Sequence, residues 1–482
     1  MLFDSIQFII FLPCVIILYY LLPHKIRWIL LLGASYYFYM VWRPEYIILI
    51  IVSTLVDYFA GLMMEKQASK KKRKALLLLS LFVNLGLLFV FKYFNFFNQE
   101  LGRFYSLVSN NEYPIAGLNL ILPMGISFYT FQTLSYTIDV YRGTRKAERH
   151  IGYFALYVTY FPQLVAGPIE RSDRLLPQLR QKHKFDYENT MSALMRILWG
   201  FFKKIVIADR VAIIVNTIYG DLPSYSGIYL IVATLGFAIQ IYADFSAYSD
   251  IAIGSAKLMG IDLMENFKMP YFSKSMSEFW SRWHISLSSW FKDYLYIPLG
   301  GSRVGKKWRR YANVMIVFLV SGFWHGANWT FLIWGFLHGF YQIVERLLSD
   351  LFKKIKMSFE LPNYIKRIIT FALVLFAWVF FRADNISDAY YVITHSGFSN
   401  VYAVFSPSMY GLGLDRKDFM LLIFSVIFLT ITDALRYKRK IHSIVNAPYF
   451  VKGVLCIILL LFVIVFSYHN VGPPSEFIYF QF

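Results

Sequence analysis

The sequence is poor in charge and has almost no cysteine. Only 16% of its 482 residues are charged, whereas 57% are hydrophobic. A typical soluble domain carries about 25% charge. A soluble fold of this length has no way to hide so much apolar surface, because packed domains already leave over half their surface apolar. A cytosolic enzyme and a disordered chain are excluded on that ground. The only cysteines, Cys14 and Cys456, lie in apolar runs. They exclude a disulfide scaffold, fit no zinc or redox spacing and read as structural thiols. HExxH, CxxC and GxSxG are absent, which argues against a metalloprotease or a serine-nucleophile hydrolase. Walker A and GxGxxG are absent too, which argues against a nucleotide-driven pump. The start MLFDSIQF has no basic n-region and no cleavage site follows, so the first apolar run is expected to be a retained span.

Aromatic residues make up 20% of the chain, and 48 Lys+Arg against 29 Asp+Glu give a net charge of +19. The basic clusters are separated by apolar runs. That is the pattern of a polytopic membrane protein with its charge in loops, not of a nucleic-acid binder. Spans of roughly 20 apolar residues are expected at about 5–22, 28–42, 46–64, 75–97, 118–141, 191–218, 226–258, 367–384, 419–435 and 450–468. Two further stretches, 151–167 and 311–345, fit a single crossing poorly.

The strongest basic cluster, Lys70 to Lys74, is expected in the cytoplasm. The segment Arg171–Lys184, the run Arg303 to Arg310, the flank Lys353 to Lys356 and the cluster Arg436 to Lys440 stay on that face only if 151–167 and 311–345 go in and come back. Gly167-Pro168 supplies a break for the first. The expected fold is all-α and polytopic, one integral membrane domain over 1–482 with about ten spans and two re-entrant segments. No internal repeat supports an inverted-repeat transporter.

Ionisable residues at membrane depth are functional candidates by default. Seven of the nine histidines lie near span ends or in loops, but His325 stands inside Ser321-Gly-Phe-Trp-His-Gly-Ala-Asn-Trp329. The flanking glycines leave space beside the imidazole. Trp324 and Trp329 are candidate walls, and Asn328 shares a face with His325 if the turn is helical. The alternative is a buried histidine that only links helices.

His284 lies in EFWSRWHISLSSWFK, where Trp280, Trp283, His284, Leu287 and Trp290 share one face at helical spacing. An amphipathic interfacial helix is expected there, with His284 turned inward or snorkelling. Asp244, Tyr248 and Asp250 lie in a predicted span. They either face a cavity, pair with a basic residue or hold the bundle together by hydrogen bonds. The loop from Gly300 through Arg303 and Lys306 to Arg310 either attracts an anionic ligand or anchors the chain on anionic lipid. No metal site is expected.

Together these segments resemble the membrane-bound O-acyltransferase family, in its bacterial polysaccharide-acetylating branch. The matching stretches are LPMGISFYTFQTLSYTIDVYRG (122–143), FPQLVAGPIERSDRLLPQL (161–179), QIYADFSAYSDIAIG (240–254), ENFKMPYFSKSMSEFWSRWHISLSSWFKDYLYIPLGGSRVG (265–305), SGFWHGANWTFLIWGFLHG (321–339), WVFFRAD (378–384) and FIYFQF (477–482). WHISLS followed by FWHG in a polytopic chain is the specific signal.

The resemblance implies a bundle around a central cavity and acyl transfer onto a hydroxyl. His325 matches the family's essential histidine and His284 its second signature position. It implies a donor such as acetyl-CoA or another cytoplasmic acyl thioester, and no permanently bound cofactor. It further implies an exported polysaccharide acceptor, a serine-esterase-like acetyltransferase partner outside, and the bacterial cytoplasmic (inner) membrane as location.

On this reading His325 is a general base reached from both sides of the membrane. Asn328 serves as a hydrogen-bond donor, His284 orients the thioester, and Arg303 and Lys306 meet the phosphates of coenzyme A. Two rivals remain. One is carrier-fed D-alanyl transfer to teichoic acid with the same histidines. The other, of a different class, is a transporter with a proton relay.

Overall fold

The computed structural model describes residues 1–109, 113–355, 361–438, 449–467 and 477–478. Lys356, Arg439 and Lys440 of the basic flanks, and 479–482 of the closing motif, lie outside them. The described chain is helical, and its only β-type pairing is an isolated bridge between Gly227 and Ser396. Among the described residues, five helical stretches are long and apolar enough to cross a membrane: Pro44–Lys66, Lys70–Ser109, Ile228–Leu258, Asn363–Arg382 and Arg416–Tyr437. Ile6–Leu21 and Phe450–Val465 are shorter apolar helices. Ile9, Phe82, Phe424 and Ile458 face outward while Asp57, Asp244 and His338 are buried. That inside-out polarity is what lipid selects. The protein is an all-α polytopic membrane protein, as the composition predicts.

Backbone contacts divide the described chain into two compact units. The first comprises Met1–Thr190 with Ser255–Met264. Its helices are α1 (Ile6–Leu21), α2 (His24–Met40), α3 (Ile47–Lys66), α4 (Lys70–Leu88), α5 (Phe94–Ser109), α6 (Ile126–Arg142), α7 (Ile151–Thr159), α8 (Phe161–Leu164) and α9 (Ser172–Arg180). Polar side chains join α3, α4 and α6. Asp57 accepts hydrogen bonds from Ser80, from Thr137 Oγ1 (3.1 Å) and from Asn84 Nδ2 (2.9 Å). Such bonds hold helices together where no hydrophobic force acts between them. The span expected at 118–141 begins only at Ile126. Pro123 removes a donor, and Gly125 turns the chain through a left-handed φ of 72°.

The first expected excursion is a broken helix. α7 has nine residues, about 14 Å, too short to cross. The break falls at Tyr160, earlier than Gly167-Pro168, because the proline at 162 takes the first turn of α8. Residues 154–170 are all buried. The freed carbonyl of Tyr157 accepts from the amides of Gln132 and Gln163 (2.9 Å). Irregular backbone survives at this depth because side chains satisfy it.

The second unit comprises Met191–Gly254 with Glu265–Phe482. α10 (Tyr187–Phe201) runs through a π-helical segment, Phe202–Ala208, into α11 (Asp209–Gly220). α12 (Ile228–Leu258) follows, then two short helices, α13 (Met276–Arg282) and α14 (Ile285–Phe291). α15 (Lys307–His325) and α16 (Trp329–Lys354) form a hairpin. The unit ends with α17 (Asn363–Arg382), α18 (Ile386–His395), α19 (Arg416–Tyr437) and α20 (Tyr449–Val465).

The second expected excursion is this hairpin, and each arm is of full-span length, about 28 Å and about 39 Å for 19 and 26 residues. Small residues bring the arms into backbone contact. A Cβ on Gly322 would run into Phe331 O, and one on Gly335 into Phe318 O.

A polar ladder ties α12 to α10 and the π segment. Asp250 pairs with Arg196 (2.8 Å) and Lys203 (2.6 Å), and Asp244 pairs with Lys204 (3.1 Å). Asp244 also accepts from Ile478 N (2.8 Å). Of the roles open for these aspartates, the structure shows basic pairing inside the unit.

Candidate functional site

The site is built on α13, α14 and the α15–α16 hairpin, all within the second unit. The continuous amphipathic helix expected over 278–292 is broken at its histidine. Trp283 is extended, and His284 takes a left-handed φ of 42°. The cause is Asn266, distant in sequence. Its backbone carbonyl accepts from Ile285 N (3.0 Å), and its Oδ1 accepts from Ser286 N (3.2 Å) and Oγ (2.7 Å). These N–H groups are thereby diverted from the helical ladder, and α14 restarts after the turn.

His284 is 2% exposed and sits edge-on to Phe245 at 4.7 Å. It is therefore turned inward and does not snorkel, and it stands at the turn between two short helices. Its Nδ1 lies 3.3 Å from Asn266 Oδ1. That oxygen already accepts the Ser286 N–H, so the amide orientation is fixed and Nδ1 must donate. Neutral His284 therefore carries its lone pair on Nε2.

His325 is the last residue of α15, at the tip of the hairpin, and is buried. Its ring stands perpendicular to Trp334 at 5.2 Å and packs on Phe381 at 5.4 Å. Those two rings wall it, where Trp324 and Trp329 were expected; Trp329 is exposed. The turn after His325 is extended, so Asn328 shares no helical face with it. Asn328 caps α16 instead. Its Oδ1 accepts from Thr330 N (3.1 Å) and its Nδ2 donates to Asp384 O (2.7 Å). Asn is a preferred N-cap because its oxygen satisfies an orphan helix donor.

Sequence reasoning missed His338, which it placed among the histidines of span ends. It is fully buried on α16, one turn beyond Trp334 and 4.8 Å from that ring. His284 and His338 both lie within electrostatic reach of His325. Trp280 Nε1 donates to His338 Nδ1 (3.2 Å). An indole N–H can only donate, so neutral His338 keeps its proton on Nε2. The legible signal was the i, i+4 pair of Trp334 and His338, each followed by a glycine, Gly335 and Gly339.

Beside this cluster lies a cavity of about 240 Å³. Trp280, Leu287, Phe318 and Ser321 are among its walls, with Lys292 and Arg346 as its cations. It is smaller than the roughly 300–1,000 Å³ of a drug-sized site, so it suits a narrow chain better than a nucleotide. Arg303 and Lys306 stand exposed on their loop and are not among its lining residues. Asp244 is held in its ion pair.

Residues 149–383 match the model of the membrane-bound O-acyltransferase family. The chain is 40% identical over 394 residues to the probable alginate O-acetylase of Pseudomonas aeruginosa, covering 81% of this chain and 74% of that protein. It is 37% identical over 392 residues to the peptidoglycan O-acetyltransferase of Helicobacter pylori, covering 76% and 72%. It is 28% identical over 282 residues to the teichoic acid D-alanyltransferase of Bacillus subtilis, covering 55% and 69%.

Proposed function

The chain belongs to the membrane-bound O-acyltransferase family and is an acyltransferase, and from that premise we propose that it transfers acetyl from a cytoplasmic thioester, acetyl-CoA, toward hydroxyls of an exported polysaccharide. The observation that carries this reading is a buried imidazole, His325, in an aromatic setting, one helical turn beyond Ser321 in the wall of a narrow cavity. The names of the relatives from Pseudomonas and Helicobacter support a glycan acceptor.

His325 is the base that takes the hydroxyl proton as the oxygen attacks the thioester carbonyl. A positioned base contributes about 10²–10⁴-fold. The narrow cavity suits the acyl-bearing arm of the donor, with Lys292 and Arg346 near its anionic part. Arg303 and Lys306 raise the local concentration of that anion without touching it. His284, with its Nε2 lone pair, accepts a hydrogen bond from an amide of the arm and so orients it. The protein works in the bacterial inner membrane and passes the acetyl group to the acceptor or to a serine-esterase-like partner outside.

The test is transfer of radiolabelled acetyl from acetyl-CoA by purified protein in detergent, beside His325→Ala. Label should reach the glycan with the native chain and fall about 10²-fold or more with the variant. Full transfer by the variant at equal folded protein would remove His325 as base. A charged carrier protein supplied in place of acetyl-CoA separates the D-alanyl alternative. Neutralising Lys292 and Arg346 should raise the KM for acetyl-CoA; an unchanged KM refutes their role.

A further inference from the structure

Two buried N–H groups beside His325 have no hydrogen-bond partner among the described residues. They are Trp334 Nε1, in a residue 1% exposed, and His338 Nε2, in a residue 0% exposed. They lie one helical turn apart on the same face of α16, and their rings are 4.8 Å apart. Trp334 is also the ring that His325 meets edge-on. A buried donor left unpaired is costly, because burial takes away the water it would otherwise bond. Leaving two so close together makes sense if something arrives to accept from both.

Both groups are obligate donors. An indole has no acceptor. The Nε2 of neutral His338 carries the proton because Trp280 occupies Nδ1 at 3.2 Å. Asn328, the donor expected from sequence, instead caps α16 and donates to Asp384 O.

Resting on the reading of His325 as base, we propose that Trp334 Nε1–H and His338 Nε2–H together hold the carbonyl oxygen of the acyl donor and its oxyanion, with Trp280 as the residue that positions the His338 proton. The acceptor oxygen attacks the carbonyl carbon, its proton passes to His325, and the carbonyl π pair moves onto the oxygen facing the two donors. When that pair returns, the C–S bond breaks. The thiolate leaves and takes the proton from His325, giving ester and free thiol in balance. Preorganised donors in a water-free site count most where charge develops.

The test compares an acetyl thioester with its dithioacetyl counterpart, in which sulfur replaces the carbonyl oxygen and accepts hydrogen bonds weakly. Trp334→Phe and His338→Leu should each lower kcat for the oxygen substrate about 10²–10³-fold with little change in KM. The rate on the dithio substrate should change far less, so the native preference for oxygen collapses. His338→Gln, which keeps a donor, should recover part of it. Trp280→Phe should lower the preference while leaving the Trp334 and His338 donors in place.

The proposal is overturned if the preference persists in W334F and H338L while His325→Ala is inactive; the base reading then stands alone. An active His325→Ala instead removes the base reading first. Equal loss on both substrates at normal folded level would make Trp334 and His338 packing residues, which also overturns it.

Discussion

Asn266 joins two roles in one side chain. It caps α14 at Ser286 and orients His284 through a single oxygen. Asn266→Ala would strand a buried N–H and a hydroxyl, and should destabilise the protein by about 1–3 kcal/mol. Thermal unfolding in detergent would register this as a lower Tm, with transfer reduced more than the folded fraction. A larger kcat loss in Asn266→Ala than in Ser286→Ala would separate histidine orientation from capping. Glu170 offers a pH-dependent case outside the spans. Burial raises its carboxyl from 4.5 to about 7, although Arg174 and the Met264 N–H pull the other way. The folded chain therefore holds a proton that the unfolded chain releases. The stability tied to that proton is present at low pH and is lost as pH rises from about 4.5 to about 7. The native Tm should fall across that window and the fall should be smaller in Glu170→Gln; equal slopes would refute the assignment.

At the scale of elements, the α15–α16 hairpin depends on missing side chains. Gly335→Ala favours an isolated helix by about 1 kcal/mol. Here its methyl meets the backbone of α15 at Phe318. The variant should lose stability and transfer together as the arms part. Gly86→Ala on α4, where nothing lies within 4 Å of the new methyl, should be neutral or slightly stabilising. If both variants behave alike in thermal unfolding, close packing is not what the glycine provides. The ion-pair ladder predicts a different asymmetry. Asp250→Ala takes the paired carboxylate from buried Lys203, whereas Arg196 keeps Glu265, and should cost about 3–5 kcal/mol. Replacing Asp250 and Lys203 together by apolar residues should cost less than Asp250→Ala alone.

At the scale of the whole molecule, the basic clusters behind the net charge of +19 set the expected orientation. The run from Arg303 to Arg310 is expected on the cytoplasmic face. A cysteine at Gly305, in a chain with Cys14 and Cys456 replaced, should react with an impermeant maleimide only from that side. Labelling from outside would reverse the donor side as well, because Lys307 of that run pairs with Asp350 (3.1 Å), one helical turn beyond Arg346 on α16.

The sequence alone determined the solvent of this protein and its helical class, and it singled out His325 and His284 as candidates. Composition and basic clusters act through length and hydropathy, which are properties of the chain read in order. Family-specific segments added the reaction class. Tertiary structure decided what those residues touch. The helix expected across 278–292 breaks at His284 because Asn266, from another segment, takes its N–H groups. Local periodicity has no access to such a competitor. Asn328 stood beside His325 in sequence but is claimed by Thr330 and Asp384. His338 looked like a residue at a span end, yet Trp280 fixes its proton and α16 brings it beside His325. Neighbours in the chain are set by covalent order, whereas hydrogen-bond partners in a membrane core are set by which buried donors and acceptors the packed helices bring within 3 Å or so of one another.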